Sequence, residues 1–281
     1  MNLNSPKVSI VIPCYNYKDY IEETVSSILN QNFKDFEVII VDDGSNSETK
    51  DVLRKINNSK VTILEQENSG ASNARNNGVK KALGQYILTL DSDDTFHFTF
   101  LEKAVAILDN DKAVTAVSSH CNIFIEKDTI IDTHTPKGGG LENFLFDNNS
   151  TSFALIRKSF WEKIGGYDEK MTNGFEDWEF WISFTRNGGY IHMIPELLFN
   201  YRYKKKSLNV DSKENHREAN LAYIYKKHSD IYKLHFLELV DFLSELAARN
   251  KRNEIKYKTS IDFKIGNIFL FPFRYFKRIF L

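Results

Sequence analysis

The chain has few cysteines, no long hydrophobic run and almost no net charge. Cys14 and Cys121 are its two cysteines, far apart and without metal-ligand spacing, which argues against a disulfide framework or a zinc site and suits a reducing cytoplasm. No run of about 18 apolar residues occurs, so no bilayer-spanning helix is expected. The short apolar stretch at residues 8–12 is too brief for the core of a secretory signal and reads as a first strand. A formal net charge of −1 gives no electrostatic footprint for nucleic acid, so none is expected as a partner. No Gly-x-Gly-x-x-Gly or other phosphate-cradling glycine loop follows that strand, which disfavours a dinucleotide-dependent oxidoreductase and a nucleotidyltransferase.

What is present is an aromatic-rich chain of 281 residues, with 22 Phe and 13 Tyr, long enough to bury a sizeable core. Short apolar runs at 8–12, 36–41, 61–64, 86–90 and 113–117 alternate with helical stretches at 20–29, 48–56, 71–83 and 101–108. That rhythm predicts an α/β fold with a mostly parallel sheet flanked by helices, with Ser47, Ser69 and Thr95 as capping positions. Beyond about residue 118 the pattern becomes mixed. A loop at Gly138-Gly139-Gly140, strands at 152–156, 190–194 and 199–203, a helix at 176–186 and two helices over 211–249 are expected. The predicted organisation is one domain over 1–208, split into a nucleotide-binding half at 1–118 and an acceptor-side half at 119–208, followed by a helical region at 209–281. Segment 266–281 mixes aromatics with Arg274, Lys277 and Arg278, the composition of a peripheral contact with an anionic membrane.

Chemistry concentrates at strand ends. Asp91-Ser92-Asp93-Asp94 follows the run at 86–90, where adjacent carboxylates repel unless solvated or neutralised. A Mg²⁺ or Mn²⁺ ion is the natural partner, because these ions take one or two carboxylates and complete their shells with water and substrate phosphates. Two further loops, Pro13-Cys14-Tyr15-Asn16 and Asp42-Asp43-Gly44-Ser45, also follow strands, and ligands of open α/β sheets gather at such ends.

Together these segments resemble the family 2 glycosyltransferases, with their GT-A fold. The resemblance is carried by Val8-Ser-Ile-Val-Ile-Pro-Cys-Tyr-Asn16, Val41-Asp-Asp-Gly-Ser45, Gly70-Ala-Ser-Asn-Ala-Arg-Asn-Asn-Gly78, Leu90-Asp-Ser-Asp-Asp94 and Gly174-Phe-Glu-Asp-Trp-Glu-Phe-Trp181, in family order over about residues 7–207. It implies an inverting, metal-dependent transferase that moves a sugar from a nucleotide donor, a UDP-sugar, to a saccharide or lipid-linked acceptor in surface-glycan assembly. Asp42 is then expected to accept the uracil imide N–H, Pro13 and Tyr15 to line base and ribose, and Arg75 to reach the nucleotide. Asp93 is expected on the metal, and Asp91 and Ser92 beside the ribose and the ion's water. Asp177 is expected to be the base that deprotonates the acceptor hydroxyl, with Glu176 as the alternative base or an acceptor-binding acid. Where many relatives carry Tyr-Arg-x-His, this chain has Tyr201-Arg-Tyr-Lys204, with lysine in the histidine's place, so metal ligation from that loop is not expected. Lys204, Lys205 and Lys206 are candidates for a basic lid over the pyrophosphate. A non-catalytic glycan-binding subunit on the same fold is the alternative.

Overall fold

The structure is a computed structural model that describes residues 5–126, 129–205 and 207–280, with residues 271–280 described by backbone alone. Lys206 of the expected lid and Leu281 of the expected membrane segment lie outside the described residues.

The elements in chain order are β1 (Val8–Cys14), α1 (Ile21–Leu29), β2 (Phe36–Asp43), α2 (Ser47–Lys55), β3 (Val61–Gln66), α3 (Ala71–Lys81), β4 (Tyr86–Thr89), β5 (Thr95–Phe96), α4 (Phe100–Asn110), β6 (Ala116–Phe124), β7 (Ile130–His134), β8 (Leu155–Arg157), α5 (Lys158–Ile164), α6 (Glu176–Arg186) and β9 (Ile191–Arg202). The helices α7 (Leu208–Asp211), α8 (Arg217–Lys227), α9 (Ser229–Leu234), α10 (Phe236–Thr259) and α11 (Ile261–Phe280) follow. The chain divides between Ile224 and Tyr225 into two compact units.

The first unit is built on one sheet in the order β3-β2-β1-β4-β8-β6-β9-β5, with β7 beside β6. β3, β2, β1 and β4 run parallel, and β8 is antiparallel to its neighbours β4 and β6. β1 is flanked on both edges and covered on both faces, so all seven of its residues are buried, as expected of an uninterrupted Val/Ile strand in a parallel sheet. Helix α1 turns Ile21, Thr24, Val25 and Ile28 inward, a spacing that makes one apolar stripe. Helix α3 lies close to β1 because residue 78 is glycine: a Cβ there would stand 2.3 Å from Val11 Cγ1. The phenylalanine load has a place in the core, where Phe96, Phe100, Phe153 and Phe199 form one cluster, with the Phe153 and Phe199 centroids 3.9 Å apart. This cluster joins the parallel half to the mixed half.

Several boundaries differ from the sequence expectation. The expected strand at 113–117 begins at Ala116, because Asp111 Oδ1 accepts the Ala113 N–H and holds the chain in a turn. The strands expected at 190–194 and 199–203 are one strand, β9, whose ladder with β6 shifts register around His120. Pro195, which has no N–H to give, sits within that irregular stretch. The strand expected at 152–156 is the short β8. Thr95 is not a helix cap but pairs with Asn200 in β5, and α4 starts at Phe100. Asn46, one residue before the expected Ser47, caps α2 by accepting from Thr49 N–H. The glycine triplet is pinned rather than free: Gly138 N–H donates to Asn149 O, and Gly139 exchanges two backbone bonds with Ile191. The two helices expected over 211–249 are several, broken near His228 and His235.

In the second unit α10 and α11 pack as neighbours joined at Ser260, with Tyr257 edge-on to Phe263. Among the described residues no helix is long and apolar enough to cross a membrane.

Candidate active site

Parallel pairing of β1, β2 and β4 brings their carboxyl ends to one rim, and hydrogen bonds join the loops that follow. Cys14 stands opposite Asp42 in the ladder. Asn16 adopts a left-handed conformation, φ 62°, and its N–H donates to Ser45 Oγ at 3.0 Å while its Oδ1 accepts from Asn46 N–H at 2.8 Å. Ser45 N–H donates to Asp42 Oδ1 at 2.9 Å. Asp42 Oδ2 is buried and accepts no hydrogen bond, with Lys50 Nζ 3.6 Å away. A buried carboxylate oxygen lacking a donor is costly unless a ligand supplies one. Pro13 is buried within β1, whereas Tyr15 is exposed at the rim.

Asp43, adjacent to Asp42, has an anchoring role. Its Oδ1 accepts from Ser69 N–H and Gln66 Nε2, and its Oδ2 from Gly70 N–H, so it fixes the loop that launches α3. That loop sets Arg75, which is 4% exposed. Its guanidinium donates to Asp91 Oδ1 at 2.6 Å and to Glu176 Oε1 at 2.9 Å, and lies over the Tyr167 ring. Burial alone would lower the Arg75 pKa, but the charges of Asp91 and Glu176 outweigh it and hold the guanidinium well above its ordinary value. Arg75 thus bridges the strand-end rim to the first turn of α6. Asn76, next to it, grips the turn at Gly165-Gly166-Tyr167 by exchanging two 2.9 Å bonds with Tyr167 backbone. Only glycine fits at 166, where φ is +82° and a Cβ would meet Asn76 Oδ1 at 2.6 Å.

Of the acids after β4, Asp91 and Asp93 are paired with cations of the chain itself, while Asp94 has only a backbone N–H on one oxygen and its Oδ2 is buried without a hydrogen bond. Asp91 meets Arg75. Asp93 Oδ2 lies 2.6 Å from Lys204 Nζ. Asp94 Oδ1 accepts from the Arg202 N–H at 2.8 Å, while Arg202 Nε donates to the Asp93 carbonyl and its NH2 to Glu23. Arg202 is clamped between the Tyr20 and Phe124 rings and is an organising residue that its motif did not reveal. Burial raises the carboxyl pKa of Asp93, and raises that of Asp94 further. Ser92 between them is buried.

Could this cluster hold a divalent ion? Among the described residues no group of three His, Cys, Asp or Glu side chains is arranged to ligate one alone. Asp93 and Asp91 nonetheless suit Mg²⁺ or Mn²⁺ when substrate phosphates complete the shell. The residues present fit an ion that arrives with its ligand.

At the far end of the rim, α6 begins after Phe175, whose φ of 62° turns the chain so that Glu176 and Asp177 open the helix. Acids are favoured at this end by the helix dipole. Asp177 Oδ2 accepts from Asn148 Nδ2 at 2.9 Å and its Oδ1 from Trp178 N–H at 2.8 Å. Burial, reinforced by the Glu176 charge, pushes its pKa up to about 6. Asn148 is held by a loop that α6 pins with its indoles, Trp178 Nε1 donating to Phe144 O and Trp181 Nε1 to Thr151 O. Nothing in the local sequence around 148 marks it. Arg157 and Trp161 serve the scaffold: Arg157 donates to the carbonyls of Val114, Leu108 and Asp111, and Trp161 is buried.

A mixed, mostly parallel sheet gathers acids at its strand ends, beside a helix that opens with a second acid pair. The chain belongs to glycosyl transferase family 2: the family model so described matches residues 9–165, and a second, "Glycosyltransferase like family 2", matches 115–229. It is therefore a glycosyltransferase. It is 29% identical over 238 residues to a protein of Bacillus subtilis named for teichuronic acid biosynthesis, the glycosyltransferase TuaG, covering 83% of this chain and 91% of that one. Over 125 residues it is 40% identical to WfaP of Escherichia coli, named as a UDP-Glc:α-D-GlcNAc-diphosphoundecaprenol β-1,3-glucosyltransferase, covering 44% of this chain and 49% of WfaP. Among solved structures it resembles S. aureus TarS in complex with UDP-GlcNAc, with a TM-score of 0.60, 21% identity, and coverage of 72% of this chain and 60% of that one. That likeness shows a shared GT-A fold.

Proposed function

We propose that the protein is an inverting, metal-dependent transferase that moves a sugar from a UDP-sugar to a saccharide or lipid-linked acceptor in surface-glycan assembly. The carrying observation is the continuous rim that runs from Asp42 through Asn16 to Asp93, and through Arg75 from Asp91 to Glu176 and Asp177. The unsatisfied Asp42 Oδ2 supports uracil, whose imide N–H would supply the missing donor. Tyr15, exposed beside it, offers a ring face to the nucleoside. Asp93, assisted by Asp91, would hold Mn²⁺ or Mg²⁺, which when bound supplies positive charge for the departing diphosphate. Asp177 takes the proton of the acceptor hydroxyl as its oxygen attacks the anomeric carbon and the bond to UDP breaks; Glu176, tied to Arg75, orients the acceptor. The names of TuaG and WfaP support a surface-glycan setting, and WfaP's name a lipid-diphosphate acceptor.

The buried free thiols of Cys14 and Cys121 support a cytoplasmic location. Helix α11 supports a peripheral place at the inner membrane face. Ile261, Ile265, Ile268 and Phe269 recur at helical spacing and are exposed, and the sequence adds Lys264, Arg274, Lys277 and Arg278 against Asp262. The test is UDP release from a panel of UDP-sugars with Mn²⁺, using a lipid-diphosphate saccharide in anionic or neutral vesicles. Acceptor-dependent release from one UDP-sugar, faster with anionic vesicles, is expected. Release that ignores acceptor contradicts transfer, and equal rates on both vesicles contradict membrane contact.

A further inference from the structure

The three cations at the acidic strand end are not alike. Arg75 and Arg202 are buried and locked by several partners each. Lys204 lies just beyond β9 between the exposed residues Tyr203 and Lys205 and reaches back to the rim. Its Nζ is 2.6 Å from Asp93 Oδ2, donates to the Tyr17 hydroxyl at 2.9 Å, and stands 4.0 Å above the Tyr17 ring and 5.2 Å from that of Tyr20. That ammonium holds one of the two Asp93 carboxylate oxygens, and its charge opposes a divalent ion bound to the same carboxylate at close range. The aromatic faces add a hold that an ammonium uses well. The lysine stem is long and flexible, so Nζ can leave Asp93 without disturbing the sheet.

We propose that Lys204 is a resident counter-cation of the donor site: it occupies Asp93 in the free enzyme and yields that place to a divalent ion only when a nucleoside diphosphate arrives to receive its ammonium. The proposal rests on the donor-site reading above. An ion alone must compete with a tethered ammonium at high local concentration. An ion arriving with a diphosphate does not, since the phosphates give Lys204 a new anionic partner of equal quality. Metal and nucleotide therefore bind as a pair, each tightening the other by the same factor.

The test measures Mn²⁺ binding to the full chain from the paramagnetic resonance signal of free Mn²⁺, first without nucleotide and then with UDP. Lys204→Met is expected to bind Mn²⁺ alone about tenfold more tightly than wild type, or more. Lys204→Arg, which keeps a cation, is expected to exclude Mn²⁺ as wild type does, and Lys205→Met, which removes the neighbouring charge, to leave the affinity unchanged. Matched circular dichroism spectra establish folding. Equal Mn²⁺ affinity of wild type and Lys204→Met without UDP overturns the proposal, as does an equal gain in Lys205→Met. Failure of the wild-type chain to bind UDP overturns the donor-site reading instead, and the Mn²⁺ comparison without nucleotide still reads the role of Lys204.

Discussion

Asp177→Asn is expected to lower kcat by roughly a thousandfold, the range for loss of a general base, while leaving UDP affinity nearly unchanged. The amide keeps the volume and one acceptor oxygen, so it can accept from Asn148 Nδ2 and hold the loop at 148, at the expense of the bond from Trp178 N–H. What it loses is the ability to take a proton. With the Asp177 pKa pushed up to about 6 in the free enzyme, by burial first and the Glu176 charge second, wild-type kcat/KM should fall as pH drops through about 6. Stability runs the other way. A carboxyl whose folded pKa is raised binds its proton more tightly in the native state, so the protein loses stability as pH rises from about 4 to about 6. Above that range the ionised group costs about 2–3 kcal/mol, and Asp177→Asn should escape that cost less about 1 kcal/mol for the acceptor that Trp178 N–H loses, a net gain at pH 7.5 that disappears toward pH 4. A variant that is inactive yet more resistant to urea separates catalysis from folding. A variant that is active, or destabilised at pH 7.5, would assign Asp177 to the scaffold.

Arg75→Met is expected to cost about 3–5 kcal/mol of stability, because it leaves Asp91 and Glu176 partly buried without their shared partner. Lys at this position should rescue little, since one ammonium cannot give two carboxylates the separate guanidinium nitrogens they now use. Activity should fall beyond what unfolding explains, because Arg75 joins the strand-end acids to the helix that carries Asp177. Urea titration at pH 7.5, compared with activity of the folded fraction, checks this. A loss below about 1 kcal/mol, typical of surface ion pairs, would mean that the bridge carries little of the site's order.

The parallel half was legible because β1, β2 and β4 are buried almost throughout and so read as apolar runs, each ending in a polar loop. Gly70 to Gly78 was legible too: the small residues that let α3 approach β1 also carry Arg75. The mixed half was less so. β9 reads as two strands because Pro195 interrupts it, and the pairing that makes it one comes from β6, distant in sequence. Ile130–His134 in β7 is exposed throughout and has no apolar alternation to betray it. In Asp42-Asp43 the local sequence does not tell which carboxylate faces the rim and which anchors the loop at 69–70. The acid string after β4 suggested a divalent ion on electrostatic grounds, and the same repulsion is relieved in the structure by Arg75, Lys204 and Arg202, whose convergence is a property of the fold.

The measurement that bears most directly on UDP-sugar transfer at this rim is thermal stabilisation by UDP, ADP, GDP and CDP, each with Mn²⁺ or chelator. At a hundredfold excess over Kd a ligand of the native state adds about 2.7 kcal/mol, which is a shift of several degrees for a chain of this size. A Mn²⁺-dependent shift largest for UDP, and lost in Asp42→Ala, is the predicted result. Equal shifts for all four nucleotides would contradict the uracil role of Asp42, and no shift with any of them would contradict donor binding at this rim.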